Sequence, residues 1–457
     1  MAASTRALRR IIAQRPGPLR ILGIESTCDD TGVAVVSSSR VIEHDALASQ
    51  WSVHAPHGGV VPLLAARAHR TNLPLLLGAI GALPPSAAEG TAVAAGAIDV
   101  SRSGSTPVDA VAVSVGPGLA LCLRAGVEAA AEAAAHLDVP LIAVNHLEAH
   151  ALTPRLFDAS IEFPFVTLLV SGGHCTLLLA RGVGDYIELG TTLDDSVGEA
   201  FDKVARLLRI VPAGEHGGAA LERAALRGDP AAAFPDGPLP TPLIKRRDCD
   251  FSFSGLKTNV MYAERTRAKR EGADAGLDVD ERGSEGEGWG GRAGAEPSQF
   301  ACDAAAAFQL ATATHLEQRT ARAVQWAREL VRPEWRVIDT LVVSGGVAAN
   351  SFLRERFASL GEDLGLRVAF PPPHLCTDNG AMVAWAAHEL VNAGADLRVD
   401  RTFPPPPRPK SDAAPLDPDR MNWQTRCPLG ERVDATQLAH LRLRSHRWHP
   451  TKHRSFI

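Results

Sequence analysis

Twice in this chain an apolar run stops at Ser-Gly-Gly. Phe165–Val170 runs into Ser171-Gly172-Gly173-His174, and residues 340–343 run into Ser344-Gly345-Gly346. A third run, 108–115, stops at Gly116-Pro117-Gly118. Short apolar runs bounded by glycine turns read as buried strands. Residues 21–36 read as strand, polar turn, strand; 60–77 as a helix; 141–144 as a strand feeding a helix; and 175–180 as the hairpin partner of 165–170. Recurrence of the strand–glycine-turn unit predicts an α/β architecture with two similar halves. A turn without Cβ atoms lets backbone N–H groups reach an anion, and a following helix adds its positive end. One such turn also suits a plain tight bend, but three in one chain favour a nucleotide site.

The chain has 457 residues, 45% of them hydrophobic, enough for two domains with cores of their own. A formal net charge of −5 excludes a globally basic nucleic-acid binder, though not a local basic patch. Seven scattered cysteines without a Cys-x-x-Cys pair read as reduced thiols. No apolar run is long enough to span a bilayer, so no membrane association is expected. Residues 1–20 carry Arg6, Arg9, Arg10, Arg15 and Arg20 with no acid before Glu25. That composition fits an organellar transit peptide, most simply mitochondrial, with plastid or cytoplasmic as the alternatives. Two segments look like insertions: 84–106, rich in Ala, Gly and Ser, and 264–298, charged, Gly-rich and expected to be flexible. From 396 to 457 the chain is a Pro-rich, then basic, tail.

In Asn145-His146-Leu147-Glu148-Ala149-His150 two imidazoles stand four residues apart, on one face of a helix. With the carboxylate of Asp378, in Cys376-Thr377-Asp378-Asn379-Gly380 at the end of an expected strand, they could hold a metal with open positions. Spacing alone is a weak signal that favours surface or core histidines over a metal, and it does not bring Asp378 to them. The order His-x-Glu-x-His is not that of zinc proteases, and Glu148 is misplaced as their general base. In 194–203, dense in acids, Asp202 suits a ribose hydroxyl or, as readily, a solvated first helical turn.

The run Gly23-Ile24-Glu25-Ser26-Thr27-Cys28-Asp29-Asp30-Thr31 resembles the opening of the universal tRNA threonylcarbamoyladenosine synthesis family. So do the His146 and Ser171 motifs, Gly198-Glu199-Ala200-Phe201-Asp202-Lys203, Phe251-Ser252-Phe253-Ser254-Gly255-Leu256-Lys257-Thr258, Gly345-Gly346-Val347-Ala348-Ala349-Asn350, and 376–380. These occur in family order over about 21–394, and 115–124 looks like the organellar branch. The resemblance implies an actin-like ATPase fold, with a first subdomain at 21–145, a second at 146–370, and a return to the first at 371–395. It implies transfer of threonylcarbamoyl from threonylcarbamoyl-AMP to N6 of adenosine 37 in tRNAs reading codons that begin with adenine. One divalent ion, iron or zinc, would sit on His146, His150 and Asp378. Leu169, Val170, Ser171, Gly172, Gly173, Asp202, Gly218 and Asn350 would line the adenylate site, with Glu222 at a more variable position. The catalytic base is not identified; His174 and Lys257 are candidates. Lys245, Arg246, Arg247, Lys257 and Arg206 are candidate tRNA-phosphate contacts. The organellar branch implies a homodimer working with a threonylcarbamoyl-AMP synthase.

Two departures stand out. The family's Pro-Glu-Leu-Ala segment reads Pro62-Leu63-Leu64-Ala65, so a carboxylate is missing. The loop 211–218 is longer than the family's, which shifts the assignment of Gly218. The competing readings are a metallopeptidase resting on the histidine pair, an ATPase module of the same fold, and a scaffold without activity.

Overall fold

The turn 26–29 joins two strands, β1 (Arg20–Glu25) and β2 (Asp30–Ser37), which pair antiparallel and are buried almost throughout. The structure is a computed structural model and describes residues 17–83, 98–100, 107–212, 215–234, 237–270, 296–331, 337–394 and 429–433. β3 (Ile42–Ser49) adds antiparallel to β2, and β4 (Ile98–Val100) to β3. On the other side of β1, β5 (Ala110–Gly116) and β6 (Leu141–Asn145) run parallel. The helices α1 (Pro62–Ala79) and α2 (Ala120–Leu137) belong to this half.

The second half repeats the plan. β7 (Phe165–Val170), β8 (Cys175–Gly182) and β9 (Asp185–Thr191) form an antiparallel meander. β10 (Thr340–Ser344) and β11 (Arg367–Ala369) continue parallel on the far side of β7. The two sheet orders are β4-β3-β2-β1-β5-β6 and, read from its β12 edge, β12-β9-β8-β7-β10-β11. Apart from the edge strands β4 and β12 (Glu431–Arg432), the orders are the same. This duplicated meander with two parallel additions is the actin-like ATPase architecture. The strands read as nearly continuous apolar runs because both faces are covered.

Alternate residues show what covers each face. Leu22, Val33, Val35, Val111 and Val113 pack with Leu73, Leu76 and Val127 of α1 and α2. Ile21, Ala34, Ala110, Ala112 and Val144 face the other way, into a cluster shared with Phe165, Leu178 and Val342 of the second sheet. Between the sheets in that cluster lie α3 (His146–Phe157) and α9 (Gly380–Ala393), which pack on each other. Small residues allow α9 to lie flat on β1 and β2. A Cβ added at Gly23 would fall 2.1 Å from the Gly380 carbonyl oxygen, and one at Gly380 would fall 2.4 Å from the Ala34 nitrogen. The outer face of the second sheet is covered by α4 (Val197–Leu207), α5 (Gly217–Ala225), α6 (Ser254–Arg270), α7 (Gln299–Leu330) and α8 (Ser351–Leu364).

Several expectations change. Residues 264–270 continue α6, so the helix enters the segment read as a flexible insertion; 271–295 lie outside the described residues. Residues 98–100 of the 84–106 insertion form an edge strand. In the C-terminal tail, 429–433 supply β12, which pairs parallel with β9; Arg432 Nη2 donates to both carboxylate oxygens of Asp250, at 2.6 and 2.7 Å. The rest of the tail and the Arg-rich residues 1–16 lie outside the described residues. Asp378 follows a short 3-10 turn, Pro373–Leu375, rather than a strand; β11 ends at Ala369. Among the described residues no helix is long and apolar enough to cross a membrane.

Candidate metal centre and nucleotide cleft

Two asparagines fix the centre. Asn145 ends β6 and caps α3, its Oδ1 accepting from the backbone N–H groups of Leu147 (2.9 Å) and Glu148 (3.2 Å). His146 is therefore the first residue of the helix and His150 lies one turn on. Asn379 caps α9 through Met382 N–H at 2.9 Å, which places Asp378 just ahead of that helix. Since α3 and α9 share the layer between the sheets, their first turns bring the three side chains together. The imidazoles stand edge to face, 4.7 Å between centroids. Asp378 Oδ1 lies 3.0 Å from His150 Nε2 and 3.7 Å from His146 Nε2. One donor atom from each residue falls within 4.8 Å of the others.

The donor set suits a divalent ion. Two imidazole nitrogens and one carboxylate oxygen match iron or zinc and leave positions for a substrate. His146 directs Nδ1 to Glu25, 3.1 Å away, so Nε2 faces Asp378. Both histidines are buried. Without metal, the cluster polarises itself. Burial alone would push His146 down, but the Glu25 and Asp378 carboxylates outweigh it and raise it to about 9. Asp378 goes the other way: burial opposes it, yet His146 and His150 hold it well below the usual carboxylate range.

Glu148 takes no part. Two residues from each histidine, it points across the helix and accepts the Gly184 amide, in the β8–β9 turn, at 2.7 Å. Burial raises its pKa, in keeping with a structural acid. His174 lies close by, 6.2 Å between its ring and that of His146. Burial first, then the neighbouring histidines, push it down to about 4, so it is neutral at pH 7 and a weak base.

The glycine turns meet beside this cluster. β7 and β10 are parallel neighbours with Leu169 opposite Ser344, so both Ser-Gly-Gly turns leave the same end of the sheet. Gly345 has φ 97°, and a Cβ there would lie 2.4 Å from the Val170 carbonyl oxygen, so only glycine serves. Above Gly172, Gly173 and Gly218 the space is open. Leu169 and Val170 bury their side chains in the core and can meet a ligand only through backbone. Ser171 Oγ accepts from His174 N–H at 3.0 Å. Ser196, the cap of α4, donates its hydroxyl to the Gly172 carbonyl. Asp202, on α4, accepts Gly218 N–H at 3.0 Å, and burial raises its pKa. It is neither the cap nor a solvated first turn; that cap is Ser196. Despite the longer loop, Gly218 thus sits at the first turn of α5 against Asp202. Glu222 accepts the N–H (2.7 Å) and hydroxyl of Ser351 at the start of α8. Asn350 caps α8 through Leu353 N–H at 3.0 Å and donates to Gln309, a contact sequence reading missed.

Lys257 is drawn elsewhere. Its ammonium pairs with Asp195 at 3.0 Å, as does Lys203 at 2.9 Å. Asp194 accepts from Ser252 and Ser254, so this acidic pair clasps the 251–258 motif. Lys245, Arg246 and Arg247 are exposed on a loop, Arg246 pairing with Asp248 at 2.6 Å, while Arg206 is half-buried. Leu63, where the resemblance leads to the expectation of an acid, is half exposed on the first turn of α1.

The sequence profile of the family described as "TsaD: tRNA N6-adenosine threonylcarbamoyltransferase" matches residues 41–385. A protein of Arabidopsis thaliana called "Probable tRNA N6-adenosine threonylcarbamoyltransferase, mitochondrial" is 37% identical over 95% of this chain and 79% of its own. Proteins called "tRNA N6-adenosine threonylcarbamoyltransferase" follow: in Zymomonas mobilis, 39% identical over 84% of this chain and 90% of its own, and in Paramagnetospirillum magneticum, 41% identical over 87% and 97%. Among solved structures, HypF of T. kodakarensis superposes with a TM-score of 0.46 and 14% identity over 84% of this chain and 50% of its own. The duplicated strand order, not that superposition, identifies the fold.

Proposed function

Because this chain belongs to the tRNA N6-adenosine threonylcarbamoyltransferase family, and so is a transferase that modifies an adenosine of tRNA at N6, we propose how it does so. The donor is threonylcarbamoyl-AMP, and the acceptor is adenosine 37 of tRNAs reading codons that begin with adenine. One observation supports this most: two imidazoles and a carboxylate within 4.8 Å of one another, beside an open Ser171-Gly172-Gly173 turn backed by the packed turn at Gly345. The exposed turn Gly172-Gly173 would receive the adenylate phosphate, and Asp202, beside Gly218, would meet the ribose. His146, His150 and Asp378 would hold one divalent ion, iron or zinc, which when bound supplies Lewis acidity to the threonylcarbamoyl carbonyl. The N6 amine forms a bond to that carbonyl carbon, the carbon–oxygen bond to the phosphate breaks, AMP leaves with the bonding electrons, and the proton shed by N6 passes to solvent. Fixing donor and acceptor in one cleft supplies much of the rate. His174, neutral beside the centre, positions or shields the donor rather than taking the proton. Lys257 stays with Asp195, and the exposed cations 245–247 meet tRNA phosphates.

A mitochondrial address is part of the same reading, supported by the Arg-rich leader and by the mitochondrial Arabidopsis relative. So are a homodimer and a partner synthase that supplies the adenylate.

The test is transfer from threonylcarbamoyl-AMP to an ANN-decoding tRNA by purified protein, against His146→Ala and Gly172→Val. Modified adenosine from wild type, with losses of at least about 100-fold in both variants, is expected. Full activity of His146→Ala would remove the metal from the mechanism. Transfer by wild type from ATP, bicarbonate and threonine alone, with no adenylate needed, would remove the proposed donor.

A further inference from the structure

We infer that Glu25 is the positioning residue of the metal centre: it fixes the ring orientation and tautomer of His146, so that Nε2 is presented to the ion. The inference rests on the proposed metal site. Glu25 closes β1 and is completely buried. A carboxylate there is costly unless its charge and lone pairs are met. Each oxygen has a defined partner. Oε1 accepts the Thr27 amide at 2.7 Å. Oε2 accepts the Ser114 hydroxyl at 2.5 Å and faces His146 Nδ1 at 3.1 Å. Among the described residues the cation paired with Glu25 is His146. Thr27 Oγ1 also approaches Nδ1, but at 3.4 Å and without charge.

These contacts divide the imidazole between two tasks. Nδ1 is held as a donor to Glu25, and Nε2 is left for the ion. A ligating histidine whose far nitrogen donates to a carboxylate is more basic and cannot swing, and loss of such a carboxylate typically weakens metal binding 10- to 100-fold. His150 has no such partner: its Nδ1 is buried without one. Ring placement in the centre therefore depends on Glu25 through His146. Ser114 acts one step further out, keeping Oε2 aimed at Nδ1.

The experiment measures Zn2+ affinity by chelator competition and the visible spectrum of the Co2+-loaded protein. It compares full-length wild type, Glu25→Gln, Ser114→Ala and His146→Ala, with metal-free folding followed by circular dichroism. Glu25→Gln keeps the shape and removes the charge. We expect 10- to 100-fold weaker Zn2+ binding and an altered Co2+ spectrum, with Ser114→Ala shifting both in the same direction by less. Wild-type affinity and spectrum in folded Glu25→Gln would overturn the inference while leaving the metal site standing. Wild type that binds no metal, or His146→Ala that binds it equally well, would instead overturn the metal reading and this inference with it. If Glu25→Gln does not fold, Ser114→Ala decides: an unchanged affinity and spectrum overturn the inference, and a weaker, shifted site upholds it.

Discussion

Glu148 Oε1 accepts the backbone N–H of Gly184 at 2.7 Å, across α3 from the histidines on either side of it in sequence. The His-x-Glu-x-His motif thus divides its labour, two imidazoles facing α9 and one acid holding the β8–β9 turn. A peptidase built on this histidine pair would need a general base; Glu148, already out of place for that role in the sequence, is turned away and held by Gly184.

Glu148→Gln should therefore keep transfer within about twofold, where loss of a general base would cost 100-fold or more. The amide oxygen can still accept from Gly184, so the stability loss should stay near 1 kcal/mol. Steady-state transfer assays with a thermal melt check both. A 100-fold loss of kcat with an unchanged melt would return Glu148 to the chemistry.

Metal binding should be coupled to a proton. In the metal-free protein the Glu25 and Asp378 carboxylates, outweighing burial, hold His146 at about 9. Below that pH the ion must displace a proton. Apparent affinity should then climb about tenfold per pH unit up to about 9 and level beyond it, with about one proton released per ion near pH 7.5. The metal-free fold carries the opposite sign. The folded pKa of His146 is raised, so its contribution to stability is complete below about 6.5 and fades as pH rises through about 9. Calorimetry in buffers of different ionisation enthalpy checks the proton count, and melts of metal-free protein check the stability arm. Binding that does not vary between pH 6.5 and 9 contradicts both.

Glycines that look alike in the motifs should behave differently. At Gly172 an added Cβ meets nothing within 4 Å, so Gly172→Ala should fold as wild type and raise the donor KM by tenfold or more, because the methyl occupies the phosphate's approach. At Gly198 the Cβ would lie 2.7 Å from the Ser171 carbonyl oxygen and 2.8 Å from the Gly172 nitrogen. Gly198→Ala should force α4 off the turn and cost about 1–3 kcal/mol of stability. Paired melts and donor titrations separate the two. Equal stability loss in both variants would mean that the Gly172 turn is packed rather than open.

What could be read from the chain alone was local. The strand–turn units at Ser171 and Ser344 and the helix from His146 show because period and glycine punctuation lie within a few residues. α7 leaves no such mark. Its first half, Ala301–Gln309, is buried on every side, and a half-exposed polar stripe (Thr314, Gln318, Arg322, Gln325) begins only beyond it, so the period is faint in the chain. β12 is a two-residue edge strand inside a Pro-rich tail, held by Asp250 and β9 rather than by any propensity of Glu431 and Arg432. Glu25 was visible in its motif, but its role depends on His146, 121 residues away, and sequence spacing carries no distance across a fold. Asp378 shows the same limit: its motif was plain, but the turn before it and its place beside α3 come from packing.

Arg319 ties the expected RNA-facing loop to the core. It is buried within α7 and donates to the carbonyls of Arg246 (3.1 Å), Asp248 (2.7 Å) and Leu243. The loop that displays Lys245, Arg246 and Arg247 is thus pinned from beneath by one guanidinium, with Arg322 adding a bond to the Asp248 carbonyl at 2.6 Å. Arg319→Met fills the space but leaves the Leu243 carbonyl without its donor and those of Arg246 and Asp248 with Arg322 alone, and should cost about 1–3 kcal/mol. Since the cations above would lose their fixed spacing, tRNA KM should rise severalfold while the donor KM holds. Lys245→Ala with Arg247→Ala should raise tRNA KM with little change in the melt and flatten its dependence on salt. Melts and separate titrations of tRNA and donor read each arm. If Arg319→Met lowers the melt but leaves tRNA KM and its salt dependence unchanged, the loop serves the fold alone and the RNA approaches from another side of the cleft.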